Sequence, residues 1–124
     1  MRDILLILAG LISAIGFYLH VVRGNRLIVG PLLNADLHHV AKHTLKFSWD
    51  WGGVTMIVLT VCYLAPLWRL DFLPLAMLAT VYSYALGALS FLAMRREGFR
   101  MNQMPQWVAF WAACICGLLA WGAF

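Results

Sequence analysis

Four continuous apolar runs divide this chain, at residues 4–22, 47–67, 70–94 and 105–124. Each has about the 20 residues that a helix needs to cross a bilayer. The runs do not alternate apolar with polar positions as the strands of a membrane barrel do, and lipid admits only helices and closed barrels. The pattern therefore predicts an all-α chain, an integral membrane four-helix bundle forming a single domain over 1–124. Punctuation falls between the runs. Gly24 and Asn25 follow the first, Pro66 precedes a tight turn around residues 68–71, and Pro105 suits the first turn of the last helix. The second connection is so short that it makes the second and third spans antiparallel neighbours.

One polar stretch interrupts this order, NADLHHVAKHTLKF at residues 34–47. At 100° per residue, Asp36, His39, Lys42, His43 and Lys46 share one side of a helix and Leu33, Leu37, Val40 and Thr44 the other. The expectation is a short amphipathic interfacial helix over about 35–46, capped by Asn34, with Asp36 in its first turn. Such a helix lies in the headgroup plane, its basic face toward anionic lipid.

Composition agrees. The 124 residues are 64% hydrophobic and 11% charged, whereas soluble domains run near half apolar and a quarter charged. The net charge of +4 does not indicate nucleic acid, because the cations lie between apolar runs rather than on a soluble face. Arg23, Arg26, Lys42, Lys46, Arg95, Arg96 and Arg100 fall on one side of the expected membrane, Arg2 and Arg69 on the other. The positive-inside rule makes the first side cytoplasmic and leaves both termini non-cytoplasmic. The first run is as long as a span and has no extended basic region before it, so it reads as a retained helix rather than a cleaved signal.

Small residues at four-residue spacing mark helix contacts in lipid. Ala79, Ser83 and Gly87 form such a stripe in the third span, and Ala109, Ala113 and Gly117 in the fourth. Either they close the bundle within the chain or they seat a neighbouring subunit.

Candidate chemistry is sparse. Asp36, His39 and His43 stand where two imidazoles and a carboxylate converge on a metal, although Lys42 and Lys46 flank them and a structural zinc asks for a fourth ligand. His20 and Asp50 lie one turn inside their spans at the cytoplasmic end and form a candidate intramembrane polar pair. Around Asp50 the sequence WDWGG supplies two indoles and two glycines, the latter suited to close approach of a helix or a ligand. Cys62, Cys114 and Cys116 contain no C-x-x-C pair and read as buried thiols. The chain lacks the first-helix carboxylate of small multidrug transporters and the C-x-x-C of quinone-linked disulfide-forming enzymes and vitamin K reductases. Only His20 lies inside a span, which disfavours bis-histidine haem ligation.

The first helix ending in His20, the basic turn Arg23 to Arg26, the step Gly30-Pro31-Leu32-Leu33 and the tryptophan at Trp49 resemble those of small bacterial four-helix integral membrane proteins without an assigned activity. The members often carry a histidine after that tryptophan, where this chain has Asp50. The resemblance implies a fold but no reaction, and the expected location is a bacterial inner membrane. Two functional readings follow. The first is a non-catalytic accessory or assembly subunit of a larger membrane complex, partnered by lipid and by other subunits or itself. The second is a small homo-oligomeric transporter or a metal- or quinone-binding membrane protein, with its site at the cytoplasmic end around His20, Asp50, His39 and His43. The sequence itself requires no cofactor and leaves a metal or a quinone open.

Overall fold

The computed structural model describes residues 1–103 and 105–122. Among them are four long helical stretches and no strand. The first runs without a break from Arg2 to Asn34 and has three parts: α1 (Arg2–Leu19), a π-helical stretch (His20–Val29) and a short α2 (Gly30–Asn34). After an extended link at residues 35–38, α3 (His39–Leu64) returns along it. Two 3-10 turns, Ala65–Leu67 and Leu70–Phe72, reverse the chain into α4 (Leu73–Arg96), and α5 (Gln106–Trp121) completes the set. The first three stretches are long and apolar enough to cross a membrane; α5 is apolar and shorter.

Helix α1 packs between α3 and α5, α5 packs on α4, and α3 touches α4 less extensively. The core is made of small residues around a few large ones: Ala9, Ala76, Ala79, Ala113 and Ala120 surround Leu6, Leu59 and Tyr63. Small side chains let helix backbones approach within dispersion range of one another. Ala79, Ser83 and Gly87 are all buried on α4, and Ala113 and Gly117 on α5, with Ala109 half-buried. The two stripes meet each other's helix: Gly87 faces the indole of Trp111, and Gly117 faces Thr80. Several polar groups of the core find partners within it. Ser13 and Thr80 donate to the carbonyls four residues back, at 3.0 and 2.8 Å, and Tyr63 donates to Ser83 Oγ at 3.1 Å.

Helix α4 stops at a glycine. Gly98 has φ +69°, and Phe99 N–H reaches back to the Met94 carbonyl at 3.0 Å, the six-to-one bond of a Schellman ending that a left-handed glycine permits.

Two expectations change. The segment 35–46 is not a separate interfacial helix: Ala35 is extended, residues 36–38 lie outside any helix, and residues from His39 onward form the first turns of α3. Asn34 does not cap it, since its amide donates instead to the Gly30 carbonyl behind it, at 3.1 Å. The first span also continues well past Val22, because the π-helical stretch carries the helix through Gly24 and Asn25. The reason lies at Pro31, which lacks an N–H and crowds the carbonyl four residues earlier. A wider turn relieves that clash, and Gly30 N–H accordingly bonds Asn25 O, five residues back. The last span expected over 105–124 includes residues 123 and 124, which lie outside the described residues.

Candidate functional site

The π-helical stretch shapes the end of the molecule that carries most of the cations. His20, Gly24 and Asn25, all in that stretch, face α3, and Trp49 receives all three. His20 donates from Nε2 to the main-chain oxygen of Trp49 at 2.8 Å. Its ring stacks on the Trp49 indole, with centroids 3.9 Å apart and planes 10° from parallel. The indole Nε1 donates to Asn25 Oδ1 at 2.9 Å. Gly24 has no side chain where the indole lies, and a Cβ there would collide with it. Gly52 leaves room for the imidazole, since a Cβ there would come within 3.2 Å of His20 Cε1, and Gly53 lies beside it at ordinary contact distance. The glycines of WDWGG thus admit a histidine from another helix. Because a carbonyl can only accept, Nε2 holds the proton, and in the neutral ring Nδ1 is an open acceptor with no partner among the described residues.

Beside this clamp lies a cleft of about 490 Å³ between the first helix and the start of α5. One wall runs from Ile12 to Ile28, roughly 24 Å at the α-helical rise per residue. Met56 and Phe110 line its apolar part, while His20, Arg23, Gln103 and Gln106 bring polar groups to it. Gln106 Oε1 is buried without a partner. Such an orphan is uncommon enough in folded proteins to call for an explanation.

Charge is distributed unequally between the two ends. At one, Arg2 pairs with Asp3 and Arg69 with Asp71. At the other, among the described residues, only Lys46 is paired, with Asp50 on the same helix. Arg23, Arg26, Lys42, Arg95, Arg96 and Arg100 make no ion pair among the described residues.

The sequence-derived candidates fare differently. His20 and Asp50 are not joined: His20 is held by Trp49, and the Asp50 carboxylate is taken by Lys46 one turn before it, a neighbour on the same helix face. Asp36 does not join His39 and His43. It sits in the extended link before α3, while those two rings lie together with centroids 4.3 Å apart. No group of three His, Cys, Asp or Glu able to hold a metal is assembled among the described residues. Gln106 was not singled out from sequence. Its only signal there is a polar side chain directly after Pro105, at the head of an apolar run. Arg23 entered as one charge in a count and as the start of the basic turn Arg23 to Arg26, not as a site residue.

Compared with protein families, with curated proteins and with solved structures, the chain matches none.

Proposed function

We propose that this is a four-pass protein of a bacterial cytoplasmic membrane, its cation-rich end inside and both termini outside, that binds an amphipathic small molecule in the cleft beside His20. Three helices of spanning length support the membrane placement. Helix α5, packed between α1 and α4, supplies the fourth pass; its 16 residues reach about 24 Å, near the hydrocarbon thickness of roughly 30 Å. The unequal distribution of Lys and Arg supports the orientation.

The observation that carries the binding reading is the cleft itself, apolar along most of its length and polar where His20, Arg23 and Gln106 meet. Ligand sites are typically apolar concavities of this size with a few polar groups that fix orientation. Its lining includes an imidazole but no carboxylate or thiol among the described residues, which favours binding over group transfer.

The test is solvent extraction and mass spectrometry of the protein purified in mild detergent. A stoichiometric amphipathic compound is expected, retained by the wild type and displaced in Ala109→Trp and Leu19→Trp, which fill the cleft from opposite walls. Circular dichroism must show both variants folded. A protein that carries no such compound, or retains it when the cleft is filled, overturns the reading. A stoichiometric protein partner in place of a small molecule makes it an accessory subunit instead.

A further inference from the structure

Hydrogen-bond donors without partners gather at the polar end of the cleft, and we infer that its ligand is a phospholipid whose headgroup bears a net negative charge, rather than a zwitterion. This rests on the cleft being a site for amphipathic molecules. Arg23 lines it and makes no ion pair among the described residues. Its guanidinium only donates, in a fork that matches two phosphate oxygens. Gln103 lines the same cleft with its carboxamide fixed in direction, since Oε1 accepts the Arg100 main-chain N–H at 2.8 Å. A main-chain N–H cannot accept, so the end of that carboxamide left without a partner is its N–H2. The side chain of Asn102, next to it in the lining, makes no hydrogen bond among the described residues either.

Little in the lining opposes an anion. It holds no carboxylate among the described residues, so nothing within the cleft neutralises Arg23. Gln106 keeps its carbonyl oxygen buried, and His20 contributes a single acceptor, Nδ1. Arg26, Lys42, Arg95, Arg96 and Arg100, at the same end of the molecule, are unpaired among the described residues, whereas the opposite end has neutralised its own cations. That field favours an anion at headgroup level. A neutral quinone accepts from the amides but leaves the guanidinium charge uncompensated. The apolar wall from Leu19 back to Ile12 receives an acyl chain, and gives a free phosphate nothing.

The experiment is native mass spectrometry of delipidated protein titrated with phosphatidylglycerol, phosphatidylethanolamine and phosphatidylcholine of identical acyl chains, with glycerol 3-phosphate as the soluble probe. The first equivalent of phosphatidylglycerol is expected to bind about fivefold more tightly than either zwitterionic lipid, the worth of one basic side chain near an anionic surface. Arg23→Gln removes that preference. Gln103→Glu removes it too, because it keeps an acceptor for the Arg100 N–H and replaces the free donors with a carboxylate oxygen. Arg95→Gln, on α4 and outside the cleft lining, keeps it. Circular dichroism identifies a cleft variant that fails to fold, and the other then decides. Equal binding of the three lipids by the wild type overturns the inference while leaving an amphipathic site standing. So does a preference that survives the cleft variants, or one that falls as far in Arg95→Gln, since a diffuse basic surface then accounts for it. Binding of glycerol 3-phosphate as tightly as phosphatidylglycerol overturns the lipid source. Failure of every lipid to bind overturns both the inference and the reading beneath it.

Discussion

His20 meets Trp49 twice, once through a 2.8 Å hydrogen bond from Nε2 to the main-chain oxygen and once through face-to-face stacking of the two rings. One residue of α3 therefore fixes both the tautomer and the plane of an imidazole on the first helix. His20→Phe keeps a stackable ring and loses the hydrogen bond, and is expected to cost about 1 kcal/mol. His20→Ala loses both interactions and is expected to cost about 1–3 kcal/mol. Thermal unfolding in detergent reads the difference, and equal loss in the two variants would show that the hydrogen bond carries all of it.

Asp50 is expected to matter little. Its partner Lys46 is one turn away on a partly exposed helix face, and such pairs contribute about 0.3–0.5 kcal/mol. Asp50→Asn should leave both the melting temperature and ligand retention within error of wild type. A variant that lost the ligand would restore Asp50 to the site.

Gly117 and Thr80 set the distance between α4 and α5. A Cβ at Gly117 would collide with Thr80 Oγ1, so Gly117→Ala is expected to destabilise by about 1–3 kcal/mol through overpacking. Thr80→Ala removes the obstacle and should recover part of that loss in the double variant. Additive losses in a double-mutant cycle would show that the two residues do not meet.

Tyr63 donates to Ser83 where both are buried. Hydrogen bonds between membrane helices average about 0.6 kcal/mol, so Tyr63→Phe and Ser83→Ala should each cost roughly that much. The double variant should cost little more than either alone.

Orientation has a direct test. In a cysteine-free background, Trp68→Cys should react with a membrane-impermeant maleimide applied to intact cells, and Phe99→Cys should react only after lysis. Both positions are exposed and lie in turns at opposite ends of the helices. The reverse labelling pattern would invert the topology.

The apolar runs by themselves determined that the chain is helical and where three of its long helices lie, since lipid leaves a continuous apolar run of spanning length no other way to satisfy its backbone. The small-residue stripes were legible for the same reason: a four-residue period is a property of one helix. Contacts between helices were not. His20 and Asp50 share a depth in the sequence, but depth says nothing about rotation about the helix axis. In the fold His20 lies against Trp49, while Asp50 meets Lys46 on its own helix. Asp36 was lost from its proposed cluster because the chain turns before His39, a break that the 100° periodicity of the segment does not reveal. The cleft depends on residues of α1, the π-helical stretch, α3, α5 and the loop before α5. Its existence was decided by how far apart packing holds those helices, a distance no local pattern encodes.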